Sequence, residues 1–194
     1  GWVGRKMFDQ LVIRDHVVTL APHELAEEAI RQVSYDWVVN CAGYIGKPNV
    51  DACEKDKAAT FLGNAIFPIK LQELCLDRDI RFAHFSSGCI YEGNITNVMA
   101  DPNYFGSTYS VSKGVSDTIL KHDPNSLVLR VRLPFDGSNS PKNLLTKLYN
   151  YSKTAKLIEG GPNSITDIDE AVSVTADLIQ RDWNGPVNLV QWLS

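Results

Sequence analysis

The feature that most constrains this chain is its rhythm, in which short apolar runs rich in β-branched residues alternate with longer stretches of helical periodicity. The strand candidates are His16–Leu20, Trp37–Asn40, Ile80–Phe85, Leu127–Arg132 and Val187–Val190. The apolar spacing predicts helices over Lys6–Val12, Glu24–Val33, Lys57–Asp77, Ser107–His122, Pro141–Tyr151 and Asp167–Arg181. Strands that are apolar on both faces need a cover on each side. Helices of this length between them supply it through parallel crossovers. The pattern predicts an α/β fold with a doubly wound parallel sheet.

Composition narrows the partners. The 194 residues are 44% hydrophobic, enough for one sizeable core, and the net charge is −4. No basic stripe or Lys/Arg run stands out, so no nucleic-acid partner is expected. The longest apolar runs, such as Trp37-Val38-Val39, fall far short of a bilayer span, and no secretory signal pattern occurs. The expectation is no membrane partner and a cytoplasmic location. Cys41, Cys53, Cys75 and Cys89 form no CxxC pair and no zinc spacing with the four histidines. They read as thiols in a reducing compartment, with no metal site, and Cys89 is set apart by its position.

Three motifs carry chemistry. Gly1-Trp2-Val3-Gly4 precedes a helical pattern and fits the second half of a glycine-rich dinucleotide turn, where backbone must approach a pyrophosphate at a helix N-terminus. Asn40-Cys41-Ala42-Gly43 places small residues at a strand's carboxyl end, where open α/β sheets bind ligands. Ser86-Ser87 ends a second strand and is followed by Tyr109 and Lys113, which share one helix face. A cation near a phenol lowers its pKa, and a positioned phenol is a general acid for a carbonyl. The strand Leu127–Arg132 then follows the helix.

Taken in order, these motifs resemble the extended short-chain dehydrogenase/reductases and, more narrowly, the dTDP-4-dehydrorhamnose reductase group. The narrowest resemblance is to the nucleotide-sugar 3,5-epimerase/4-reductases that form the C-terminal part of plant rhamnose synthases, with viral relatives. It rests on residues 40–54, 88–92, 102–107, 130–134, 140–147 and 162–166. The resemblance implies an NAD(P)-binding Rossmann domain over residues 1–135 with its first strand absent. Residues 136–194 would be a small, partly missing substrate-binding part with a final strand.

The resemblance also implies roles. NADPH is the expected cofactor, held by Gly1, Trp2, Val3, Gly4, the Asn40–Gly43 turn, Asn64, Tyr109, Lys113, Arg132 and Pro134. The expected substrate is a UDP- or dTDP-linked 4-keto-6-deoxyhexose, met by Ser86, Ser87, Lys47 and Asn143. Tyr109 would protonate the forming alkoxide, Lys113 would lower the phenol's pKa, and Ser87 would orient the ketone. Cys89 and Lys147 would exchange protons at C3 and C5, and a homodimer is the expected assembly. The alternatives are a plain 4-reductase, a GDP-sugar epimerase/reductase and a non-catalytic dinucleotide-binding regulatory subunit. The set Ser87/Tyr109/Lys113 argues against the last. The loop that would distinguish NADH from NADPH is abbreviated after residue 20, and Gly93–Asp101 is short for the group.

Overall fold

The computed structural model describes residues 1–152 and 163–193. Helix α1 (Trp2–Ile13) opens the chain, followed by α2 (Ala26–Gln32), β1 (Trp37–Asn40), α3 (Lys57–Phe61) and α4 (Phe67–Leu76). Then come β2 (Arg81–Ser87), α5 (Thr108–Leu120), β3 (Ser126–Val131), β4 (Pro134–Phe135) and α6 (Leu144–Ser152). The rest is β5 (Asn163–Asp167), α7 (Ile168–Gln180), β6 (Gly185–Asn188) and β7 (Gln191–Leu193). The main sheet is parallel, in the order β1-β2-β3-β6. A smaller sheet, β4-β5-β7, stands beside it, with β5 and β7 antiparallel. The doubly wound α/β sheet expected from the sequence is present.

Strand alternation explains the two faces. Ala83 and Phe85 point into a core with Met7, Leu127, Leu129, Val172, Ala176 and Ile179, which seats α1 and α7. Phe82 points the other way, into a core with Ile30, Leu71, Leu74, Cys75, Leu120 and Val128, which seats α2, α4 and α5. Successive side chains of a strand take opposite faces, so each central strand feeds both cores. Burying one such Leu or Phe side chain contributes about 1.5–3 kcal/mol.

The predicted strand His16–Leu20 is not a strand. Residues 16–22 run as irregular backbone and Val17 is fully exposed. A strand exists only as part of a ladder, and no described strand pairs with these residues, because β1 is the edge of its sheet. The predicted helix over Lys57–Asp77 is three pieces: α3, a π-helical turn at Leu62–Ile66, and α4. The strand expected to reach Arg132 ends at Val131, and Leu133 adopts positive φ before β4. No helix of the described residues is long and apolar enough to cross a membrane.

Candidate functional site

All four strands of the main sheet are parallel, so their carboxyl ends lie on one side, and Asn40 and Ser87 end two neighbours there. Helix α5 runs back from that side. Its first turn is fixed by the Ser107 cap, whose Oγ accepts from Ser110 N at 3.1 Å. Glu54 adds a two-point clasp, accepting from Thr108 N at 2.6 Å and Thr108 Oγ1 at 2.7 Å. Tyr109 and Lys113 follow one turn apart on that anchored helix.

Lys113 is buried, 4% exposed, and its Nζ donates to the carbonyl of Phe85 on β2 at 3.1 Å. Burial pushes its ammonium down to about 8, against the opposing pull of Asp117 and Cys41. The Tyr109 phenol is pushed up, by burial first and then by Cys89, while the Ser87 hydroxyl works the other way. Lys113 is not among the groups that move it. The expectation that Lys113 lowers the phenol is corrected here, because the ammonium is turned to the Phe85 carbonyl. A raised phenol still suits a proton donor, since it stays protonated at neutral pH.

The turn after β1 is set by buried polar groups. Asn40 Oδ1 accepts from Ala42 N at 2.9 Å, which leaves its Nδ2 to face His84 Nδ1 at 3.1 Å across the register pair Asn40–His84. Burial, helped by Lys113, holds the His84 pKa well below its ordinary value, so the ring is neutral. With Nδ1 accepting, Nε2 carries the hydrogen. That atom is buried without a partner among the described residues. Asn64, 0% exposed in the π-turn, accepts from Tyr44 N and donates to Tyr44 O, both at 2.8 Å. It also donates to Ser112 Oγ on α5 at 3.2 Å. Its next-door Gly63 must lack a side chain, because a Cβ there would lie 2.9 Å from Tyr44 Cβ. Asn64 was expected to touch the cofactor. The structure spends its amide on the Tyr44 backbone and Ser112 instead, and it clamps the Gly43-Tyr44 loop onto α5.

A cavity of about 830 Å³ runs along the free side of β1, lined among others by Gly1, Gly4 and Asn40–Gly43. It brings together the two small-residue turns that lie about forty positions apart in the chain. Gly4 packs on Cys41, where an added Cβ would sit 3.4 Å from Cys41 Cβ. Burial pushes the Cys41 thiol up to about 12, so it is a small apolar wall rather than a reactive group. An added Cβ at Gly43 would meet Lys113 Nζ at 3.3 Å, so the absence of a side chain there keeps the end of the cavity open toward the ammonium. Ser87, Tyr109 and Lys113 are not themselves in the cavity wall. These features suit a flat dinucleotide laid over the turns, with its reacting end toward α5.

Other expected site residues have other tasks. Ser86 is buried and gives its hydroxyl to Asp117 Oδ2 at 2.7 Å, so it does not face a substrate. Asn143 was also expected to meet the substrate. It is 0% exposed, with its amide donating to Asp136 O at 2.8 Å and Ser138 O at 2.6 Å. Arg132 holds the turn after β2, donating from NH1 to Gly88 O at 2.9 Å and from Nε to Asn163 at 2.7 Å. Pro134 is in β4, paired with Thr166. Val3 packs on the α1-side core, and Trp2 donates its indole N–H to Asp136 at 3.2 Å. Lys47 is exposed beside the cis peptide to Pro48. Cys89 is half-buried next to Ser87, with its N–H on Ser87 Oγ at 3.1 Å. Lys147 is exposed on α6, and no described contact joins it to Cys89.

Sequence reasoning missed Asp117, Asp136, Glu54 and His84. Asp117 carried a signal, since Tyr109, Lys113 and Asp117 recur at four-residue spacing on one helix face, opposite Arg130. His84 carried a weaker one, as the one polar side chain within the run Phe82–Phe85. Glu54 and the α1 side of Asp136 carried none, because Thr108, Trp2 and Lys6 are remote from them in sequence.

Fold and site together define an α/β dinucleotide-fold protein with a Ser-Tyr-Lys constellation at the carboxyl end of its sheet. Residues 3–187 match the RmlD substrate binding domain, and the chain belongs to that family. It is 33% identical, over 166 residues, to an Arabidopsis thaliana trifunctional UDP-glucose 4,6-dehydratase/UDP-4-keto-6-deoxy-D-glucose 3,5-epimerase/UDP-4-keto-L-rhamnose-reductase. That match covers 80% of this chain and 24% of the plant protein, so the chain spans about a quarter of its length. The crystal structure of a UDP-rhamnose synthase from Acanthamoeba polyphaga mimivirus superposes with a TM-score of 0.86 at 26% identity. It covers 99% of this chain and 74% of the viral one. The fold is shared as well with a Bacillus anthracis dTDP-4-dehydrorhamnose reductase solved in complex with NADP. There the TM-score is 0.77 at 14% identity, over 96% of this chain and 69% of that one.

Proposed function

We propose that this protein is an NADPH-dependent reductase of the C4 ketone of a nucleotide-linked 4-keto-6-deoxyhexose, coupled to 3,5-epimerisation, which gives UDP- or dTDP-rhamnose. The observation that carries the reading is the gathering of Ser87, Tyr109 and Lys113 at the end of β2, beside a cavity lined by both small-residue turns. The names of the plant and viral relatives support the same substrate class.

The cofactor fit rests on space and donors in this chain. Gly1, Gly4 and Asn40–Gly43 would hold the dinucleotide, and Lys113 lies just beyond Gly43 to meet its reacting end. The chemistry the cofactor supplies when bound is hydride delivery to the ketone carbon. The protein's part is the proton and the geometry. The Tyr109 hydroxyl donates to the oxygen that gains charge, and Ser87, close to that phenol, orients the carbonyl. Lys113 supplies positive charge from one turn along α5, and the Asn64 and Glu54 clasps keep that helix registered with the loop after β1.

Epimerisation would use Cys89 and Lys147 to take and return the protons at C3 and C5. A second reading, a 4-reductase without epimerase activity, is favoured by one observation: Lys147 is exposed and makes no described contact with Cys89. Incubating the protein with NADPH and UDP- or dTDP-4-keto-6-deoxyglucose, then identifying the sugar by NMR, separates the two. A rhamnose product supports the coupled reaction, and a 6-deoxy sugar with unchanged C3 and C5 supports the plain reductase. No NADPH consumption with either nucleotide, whether the 4-keto-6-deoxy sugar or its 3,5-epimerised form is supplied, overturns both.

A further inference from the structure

The mechanism above uses neither of two buried carboxylates, Asp117 and Asp136, and only Asp136 joins the glycine turn to a second segment. Asp136, 4% exposed, follows β4 and faces two segments at once. Its Oδ2 receives Trp2 Nε1 at 3.2 Å and Lys6 Nζ at 2.8 Å, both from α1. Its Oδ1 receives Ser138 N at 2.9 Å, Ser138 Oγ at 2.7 Å and Asn143 Nδ2 at 2.9 Å. Asn143 in turn accepts from Leu145 N at 3.0 Å and so shapes the entry to α6. Lys6 reaches on to Asp169 at the start of α7, at 2.5 Å.

From this geometry we infer that Asp136 is a positioning residue that couples the two halves of the site. One oxygen holds the helix whose first turn, Gly1–Gly4, lines the cofactor cavity. The other holds the turn that carries residues 138–147. Neither side can shift alone without leaving a buried charge or donor unpaired, which is costly. The two segments therefore move as one body. Order imposed on the glycine turn by a dinucleotide is passed to the segment leading into α6, and the reverse holds by linkage. Burial opposes the charge on Asp136, but the bonds from Lys6 and Ser138 outweigh it and hold the carboxyl at about 2, so the link is ionised throughout the neutral range.

The inference rests on the functional reading above in placing the dinucleotide at the glycine turn, and the test separates the two. Calorimetric titration of NADPH with and without UDP or dTDP, and of each nucleotide with and without NADPH, gives the coupling factor directly. The intact protein is expected to show positive coupling of roughly five-fold or more. Asp136→Asn keeps the shape but turns an amide toward Trp2 and Lys6, and its factor should fall to within about twofold of unity. Equal coupling in both proteins, or none in the intact one, overturns the inference.

If none of the three probes binds, the functional reading fails, and hydrogen exchange decides the link alone. Lys6→Met removes the α1-side cation from Asp136 Oδ2 and leaves the Oδ1 partners Ser138 and Asn143 unchanged. It is expected to speed exchange at the Ser138 and Leu145 amides roughly tenfold, and Lys6→Arg to restore the slow rate. Unchanged exchange at those amides in Lys6→Met overturns the coupling.

Discussion

The wedge between β2, β3 and α5 and the segment from Asp136 to Ser152 both carry residues with chemistry, and they are built in opposite ways. In the wedge nearly every polar atom is buried and paired. Asp117 and Arg130, 0% and 1% exposed at their side chains, meet at 2.6 and 2.9 Å, with Ser86 on the same carboxylate. Arg130 NH1 reaches on to Val98 O at 2.6 Å. Lys121, also enclosed, donates to Met99 O, Ala100 O and Asp101. Two buried cations thus pin the loop after β2. The later segment is fixed only at its root, by Asp136 and Asn143, and then presents α6 to solvent, with Leu145, Leu148 and Lys147 exposed. The groups assigned to reduction are preorganised by packing, and Lys147, assigned to epimerisation, is not.

The largest effect expected from this contrast is at Tyr109. Tyr109→Phe keeps the ring in its packed place and removes the proton, so reduction should fall about 10²–10⁴-fold with NADPH binding retained. Turnover close to that of the intact protein would remove Tyr109 from the mechanism and the wedge from its role.

Next comes the ion pair beneath it. Asp117→Asn leaves Arg130 as an uncompensated buried charge and should cost about 3–5 kcal/mol in urea unfolding. For a chain of this size that lowers Tm by roughly 6–20 °C. The exposed Lys70–Glu27 pair is the control, where Lys70→Met should stay within about 1 kcal/mol. Equal losses in the two variants would erase the distinction between paired interior and solvated surface.

A smaller effect follows from Lys113. Its folded-state value near 8 lies below the ordinary 10.5, so between those two pH values only the unfolded chain holds the proton. Loss of the proton favours the fold, and the contribution of this group to stability rises with pH across that window. Activity goes the other way. The positive charge that Lys113 holds next to Gly43 is lost above about pH 8, so kcat/KM of the free enzyme should show an alkaline limb there. A flat profile to pH 10 would show that the charge does not matter to the reaction.

The smallest structural effect is expected in the open segment. Lys147→Ala should change unfolding stability by no more than about 0.5 kcal/mol, because the side chain is solvated. With the 4-keto-6-deoxy sugar in deuterated water, both Lys147→Ala and Cys89→Ser should nonetheless lose deuterium incorporation at C3 or C5. Full exchange in both would leave the plain reductase as the better reading.

The sequence alone determined the alternation of strands and helices, and with it the parallel sheet covered on both faces, since apolar periodicity is local and each element reports its own. It also placed Ser87, Tyr109 and Lys113 in order, because strand ends and four-residue helical spacing are legible along a chain. Tertiary structure decided what those residues do to one another. Lys113 turned to the Phe85 carbonyl, Asn64 to the Tyr44 backbone and Asn143 to Asp136, each because a buried polar atom must be satisfied by whatever the fold brings within about 3 Å. The same is true of the strand that did not form. Residues 16–20 have the composition of a strand, but a ladder needs a neighbour, and whether one stands at the edge of β1 is a property of the assembled sheet.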